Sequence, residues 1–444
     1  MAFALLVLYV MFLLVRPQDW YEPLRGIRVI DVTAIGALIA TFITQGGGSE
    51  NLFTVLKRNR YGHLMLGLLA AVLLSDMTRM RFSFAYTSFA EFGKLCVLFF
   101  LTMILVERIQ RVKTMVWVIA ISALILCIHA WMQIQTGVGF GGVEPYTPEG
   151  YGGKIMMTEW ITQTDFRVRG TGLFNDPNDF AMLYIMAIPF VMALIQSPIA
   201  LPARFFLLGA VPCYLLVLYY TKSRGGMAGF AAMLLAYMWM AGRRNFLRLL
   251  ITVGLIGGAV AFGPARAKET VYEGSAGGRI VAWGVGNGIL KENPLFGIGY
   301  TRWFDEEMLT AHSSFVTCYA ELGFVGYFFW ISLAYLVGRG LLRITRRRDV
   351  FDPLTARLAG GLFAGLVGYL ACGFFLTRTY NPVLYFLLGL GAGMIRHAQR
   401  QNVVPPEYLD VHRRDMIQAG AVALLSIPAI WILIKAYWGV SGGS

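Results

Sequence analysis

Charge is scarce in this chain. Only 14% of its 444 residues are charged, against 57% hydrophobic, whereas soluble domains carry about 25% charged residues. That scarcity excludes a water-soluble globular fold of ordinary composition. Histidine is scarcer still, with five residues, and no HExxH or His/Cys cluster is present, which argues against a metal centre. The five cysteines, Cys96, Cys127, Cys213, Cys318 and Cys372, form an odd set without a CxxC pair. Each lies in or beside an apolar run and reads as a buried packing residue, neither disulfide nor ligand. No internal repeat, low-complexity tract or separate soluble domain interrupts the chain.

What the sequence has in abundance is apolar runs. A membrane helix needs about 20 mostly apolar residues to cross a hydrocarbon core of about 30 Å. Runs near 2–15, 29–44, 62–77, 91–106, 113–135, 179–196, 204–221, 225–241, 247–263, 314–338, 356–376, 381–396 and 416–438 predict an all-α, polytopic integral membrane bundle of about 12–13 transmembrane helices. The first run has no basic n-region, and the Arg16-Pro17-Gln18-Asp19-Trp20 that follows is not a small-residue cleavage site. It is therefore expected to be a retained helix. The chain divides into N-terminal spans over 1–135, a loop over 136–178, central spans over 179–263, a second loop over 264–313 and C-terminal spans over 314–444. The pairs Gly225/Gly229, Gly361/Gly365 and Gly389/Gly393 predict close helix packing.

Orientation follows from charge. When alternate loops are assigned to opposite faces, one face collects twenty Lys and Arg against seven Asp and Glu. The other face, with Lys94 and Glu321 counted at loop edges, has seventeen basic and eighteen acidic residues. Nearly all of the formal +13 thus lies on one face, which the positive-inside rule makes cytoplasmic and in contact with anionic lipid. The basic residues flank spans and no nucleic-acid reading motif accompanies them, so no nucleic-acid partner is expected. The two long loops then lie outside, and long loops in compact proteins commonly carry function.

Four outer segments hold candidate chemistry. Thr221-Lys222-Ser223-Arg224-Gly225-Gly226 ends one run and starts another, a tight helical hairpin with Lys222 and Arg224 at the boundary where a lipid-linked phosphate would lie. A guanidinium donates to phosphate in bidentate fashion, although basic residues at helix ends also arise from snorkelling. In Gly277-Gly278-Arg279, the glycine pair is expected to precede a short helix and let backbone amides approach an anion. The spacing is not a Walker or Rossmann pattern, and an arginine that satisfies loop carbonyls is the alternative.

His312 ends the second loop. A neutral imidazole can accept a proton from a sugar hydroxyl, and carboxylates at Asp305–Glu307 can orient it; a helix-capping or core histidine is the structural alternative. Finally, Arg167 and Arg169 precede Asn175-Asp176-Pro177, a turn after which Asn178 or Asp179 is expected to cap the next helix.

Together these segments resemble the O-antigen ligase and polymerase superfamily of bacterial membrane glycosyltransferases. Its ligase signature is His followed by Asn or Ser, nine variable residues and Gly-x-x-Gly. His312-Ser313, the stretch Ser314–Leu322, Gly323 and Gly326 match it without a gap. Ser223-Arg224-Gly225 and Gly278-Arg279 are similar to the family's two arginine motifs, and Arg169–Ala181 to its Gly-x-Phe-x-(Asn/Asp)-Pro-Asn segment. The resemblance covers roughly 165–330.

It implies transfer of a glycan from an undecaprenyl-pyrophosphate donor to a sugar hydroxyl, of lipid A core or another acceptor, at the periplasmic face of the bacterial inner membrane. It implies no metal and no nucleotide cofactor. Arg224 and Arg279 would hold the pyrophosphate, with Lys222, Arg167, Arg169 and Asn178 as further substrate contacts. His312 would act as base or positioner opposite the anomeric carbon, with inversion there. The histidine signature favours ligase over polymerase. A lipid-linked glycan transporter would carry mid-bilayer ionisable residues and related halves, which this chain lacks; a non-catalytic scaffold is the third class.

Overall fold

The computed structural model describes residues 1–45, 55, 57–147, 166–242, 274–303 and 310–440. The predicted run at 247–263, the loop portions 148–165 and 264–273, and the carboxylates Asp305–Glu307 lie outside the described residues. Every other predicted run is a helix. With one more helix, α9, inside the predicted second loop, the order is α1 Ala2–Val15, α2 Val29–Gln45, α3 Arg60–Met77, α4 Phe82–Leu105, α5 Ile109–Thr136, α6 Pro177–Ile195, α7 Leu201–Tyr220, α8 Arg224–Ala241, α9 Gly274–Glu292, α10 Ser314–Arg346, α11 Pro353–Gly373, α12 Pro382–Arg400 and α13 Arg413–Val440. Seven of the described helices are long and apolar enough to cross a membrane. Among the described residues, strand-type pairing is limited to one bridge, Tyr146 to Arg167.

Five of the described helices start where a side-chain oxygen replaces missing backbone partners. Asn59, Asp176, Ser223, Asp352 and Asn381 accept bonds from first-turn amides of α3, α6, α8, α11 and α12, and proline follows at Pro177, Pro353 and Pro382, where its lost N–H costs nothing. The cap of α6 is therefore Asp176, and not Asn178 or Asp179 as the sequence suggests. Asp176 stands one residue before Pro177, so its carboxylate reaches the Asn178 amide at 2.7 Å.

The helices pack through the predicted glycine pairs. A β-carbon on Gly389 or Gly393 would lie 2.7 Å from the Phe99 or Val106 carbonyl oxygen, so α12 meets α4 backbone to backbone. Gly361 meets the Pro189 carbonyl of α6 at a similar 2.9 Å, and Gly229 faces Gly368 and Cys372 of α11. Without a hydrophobic drive between helices in lipid, this close approach supplies much of the attraction. α6 is buried along almost its whole length, whereas α2, α7 and α13 present Ile35, Phe205, Leu424 and Leu425 outward as a surface fit for hydrocarbon. Cys213 on α7 is likewise exposed, which corrects its reading as a core residue; the other four cysteines are buried.

One end of the bundle gathers the basic residues. Asp415 pairs with Arg339 at 2.9 Å and Arg343 at 2.8 Å, joining α10 to α13, and Glu107 pairs with Arg400 at 2.7 Å, joining α12 to the α4–α5 turn. Arg348 donates to the Met240 carbonyl. Glu321, counted from sequence at a loop edge, is instead buried inside α10.

Candidate active site

The opposite end is built around a break in α10. Gly323 has φ 63° and ψ −168° within that helix, a conformation essentially confined to glycine. The break frees carbonyls that the preceding loop then uses. Ile298 and Gly299 donate to Ala320 and Glu321 at 3.1 and 3.0 Å, while Phe324 and Val325 donate back to Pro294 and Leu295 at 2.8 and 3.2 Å. A β-carbon on Gly323 would overlap the Leu295 backbone, and one on Gly326 would overlap the Leu322 side chain. Gly323 thus makes room for a loop that crosses a broken membrane helix, where non-helical backbone is tolerated only when protein covers it, and Gly326 makes room for the Leu322 side chain beside the break. Glu321 completes the junction, accepting from the Trp303 amide at 3.0 Å and the Tyr380 hydroxyl at 2.8 Å.

α9 docks on the first half of α10. Tyr319 donates to Asn287 at 2.8 Å, and the Trp283 indole donates to the Ala311 carbonyl at 2.9 Å. Arg279 lies four residues before Trp283 and so shares its helix face, which aims it toward the residue after Ala311, His312. The glycines Gly277 and Gly278 lie inside α9 and not ahead of it. The expected anion loop of free amides is therefore absent, because those amides belong to a helix that begins at Gly274. The Arg279 Nε is buried and has no hydrogen-bond partner among the described residues.

Around Arg279 the cations converge. Arg224 and Arg167 are near enough, together with burial, to lower its pKa. Arg224 is exposed at the start of α8, in the hairpin that Ser223 caps through the Gly226 amide at 2.9 Å. Asn178 ties this hairpin to the segment before α6: its Oδ1 accepts from Ser223 at 2.7 Å and from Arg167 at 3.0 Å. Arg167 also donates to the Thr221 carbonyl at 2.9 Å, so its guanidinium is held and not snorkelling freely. Arg169 points elsewhere, to the Glu144 carbonyl at 2.6 Å and Asn175 at 3.0 Å. Lys222 is exposed, with its ammonium 5.9 Å from the Phe166 ring.

His312 has φ 46°, an unusual conformation for a residue with a side chain. It is exposed to solvent, yet the surrounding protein removes enough water from the ring to lower its pKa, helped by Arg279 and Arg378 and opposed by Asp176. The ring is therefore neutral at pH 7 and able to accept a proton. Ser313 occupies the N-cap position of α10 without capping through its side chain; its hydroxyl is buried and unpaired among the described residues.

Sequence reasoning missed Arg378. It sits in the α11–α12 connection, pairs with both carboxylate oxygens of Asp179, and its amide donates to the Ser314 hydroxyl at 2.8 Å. A signal existed: it is the sole charged residue between Arg357 and Arg396, and an isolated charge amid apolar sequence marks function or a partner. The structure thus brings His312, Arg279, Arg224 and Arg167 into one electrostatic neighbourhood and adds Arg378 and Asp176, while Arg169 faces the neighbouring loop.

The protein is thus a multi-pass helix bundle with a cluster of arginines and a histidine at one end. The O-antigen ligase family profile matches residues 208–331, spanning Arg224, Arg279, His312 and both signature glycines. This domain match supports membership of the O-antigen ligase superfamily. The match does not extend to the 165–207 stretch. No curated protein matches the chain.

Proposed function

We propose that the protein is an O-antigen ligase-like glycosyltransferase of the bacterial inner membrane, moving a glycan from an undecaprenyl-pyrophosphate donor to a sugar hydroxyl, such as that of lipid A core, on the periplasmic side. The observation that carries this reading is the buried Arg279 Nε, without a hydrogen-bond partner among the described residues, beside Arg224 and Arg167 and next to a neutral His312. A guanidinium that is partly buried beside two other arginines gains most from a polyanion, and a diphosphate is the polyanion of a lipid-linked sugar.

In the transfer, the acceptor oxygen forms a bond to the anomeric carbon as the bond to the diphosphate oxygen breaks. The leaving diphosphate takes the electron pair and is stabilised by Arg224 and Arg279, in the place where many transferases use a divalent ion. His312 takes the acceptor's proton or fixes the hydroxyl for attack, and entry opposite the leaving group inverts the anomeric centre. Lys222 and Arg167 add positive field to the same anion.

His312→Ala and Arg279→Ala are each expected to reduce transfer at least a hundredfold, with insertion in the membrane unchanged, when purified lipid-linked donor and acceptor are supplied. Wild-type rates in either variant would remove the site. On a product gel, a single capped product marks a ligase, and a ladder from donor alone marks a polymerase.

A further inference from the structure

We infer that the polar cleft between the α6 entry turn and the α11–α12 connection is the seat of the acceptor sugar. The inference rests on the transferase reading and adds where one of the two substrates binds. The cleft has a volume of about 480 Å³ and is lined in part by Asn175, Asp176, Asp179, Thr377, Arg378 and Asn381. That volume lies within the range of small-molecule sites.

Its chemistry differs from that of the arginine cluster. The ionised side chains lining it are two carboxylates and one guanidinium, and Arg378 is committed to Asp179, which is buried. The remaining polar lining is amide and hydroxyl, including the buried Thr377 Oγ1, which has no partner among the described residues. A net negative cleft rejects a diphosphate. It suits a neutral polyol, whose hydroxyls donate to carboxylate and amide oxygens and accept from hydroxyl groups. The bidentate Arg378–Asp179 pair holds the wall rigid, so little ordering is required on binding.

Position relative to His312 supplies the second line of argument. The imidazole feels Arg279 and two cleft residues, Asp176 and Arg378, and the Arg378 amide donates to Ser314, two residues after His312, at 2.8 Å. The cleft thus adjoins the histidine, while Arg279, Arg224 and Arg167 of the cationic cluster are not among its lining residues. In-line displacement needs the attacking hydroxyl and the leaving diphosphate on opposite sides of the anomeric carbon. A cleft beside His312 that shares none of the three clustered arginines is placed to present the attacking hydroxyl.

Thr377→Val removes a hydroxyl at nearly constant shape, and Asp176→Asn removes the charge while keeping a competent helix cap. Each is expected to raise the KM for acceptor about five-fold, the effect of one lost hydrogen bond, at pH 8, where the histidine is neutral, with donor KM unchanged. Binding of rough lipopolysaccharide in detergent to His312→Ala protein provides an arm that needs no turnover; the same two substitutions in that background should weaken it by a similar factor. A rise in donor KM instead would assign the cleft to the donor glycan and overturn the inference. Unchanged constants in both arms would overturn it as well. Failure of wild-type protein to transfer, with binding still sensitive to the cleft, would sink the transferase reading and leave the saccharide seat standing.

Discussion

At the scale of single residues, His312 carries the most specific expectation. Burial and Arg279 lower its pKa and Asp176 opposes them, so a base at this position stays neutral to pH values below the ordinary 6.5. The acid limb of kcat/KM should therefore fall below pH 6.5. Removing the opposing charge in Asp176→Asn should move that limb further down, and a limb that moves up would refute the electrostatic assignment. The Arg378–Asp179 pair makes a separate prediction. Arg378→Met leaves a carboxylate of 5% side-chain exposure without its counter-charge, at a cost of about 3 kcal/mol. Thermal denaturation in detergent should show the loss, and adding Asp179→Asn should recover most of it. Equal stability of the single variant and wild type would show the pair to be dispensable. Nothing in the local sequence around Asp179 reveals its partner, because the two residues are 199 positions apart.

At the scale of elements, the break in α10 is the decisive feature. Gly323→Ala places a β-carbon on the Leu295 backbone in a glycine-only conformation, and neither strand of chain can yield without losing the four hydrogen bonds that join them. A destabilisation above about 2 kcal/mol is expected. Gly338→Ala on the same helix is the control: its β-carbon would meet only side chains, the nearest at 3.8 Å, and alanine favours helix, so stability should hold or rise. Comparable denaturation midpoints for the two variants would contradict the account of the signature glycines. The spacing of His312, Gly323 and Gly326 was plain in the sequence, but its reason was not. A Gly-x-x-Gly in an apolar run reads as helix packing until the loop at 293–299 is seen lying across it.

At the scale of the whole molecule, Asp415 and Glu107 each hold two arginines at one end of the bundle. The site lies at the other end. If the basic end is cytoplasmic, a membrane-impermeant thiol reagent applied to intact spheroplasts should label a cysteine placed at Glu22, in the α1–α2 connection, and spare one placed at Asp410, before α13. The reverse pattern would invert the orientation and place the active site in the cytoplasm.

By itself the sequence determined that this chain is an all-α membrane bundle and where most of its described helices run. Those features depend on composition and on short-range spacing, and apolar length and loop charge act locally. Only the tertiary structure decided that Arg279 rides on a helix and not on a glycine loop, that Asp176 and not Asn178 or Asp179 caps α6, and that Arg378 belongs to the site at all. Each of these depends on contacts between segments distant in the chain: α9 docked through Trp283 and Asn287, and the α11–α12 connection folded back onto Asp179. In a bundle whose interior is uniformly apolar, many helix arrangements satisfy the same hydropathy. The few buried polar pairs and the glycines that admit close backbone contact select one of them, and they do so only when both partners are in place.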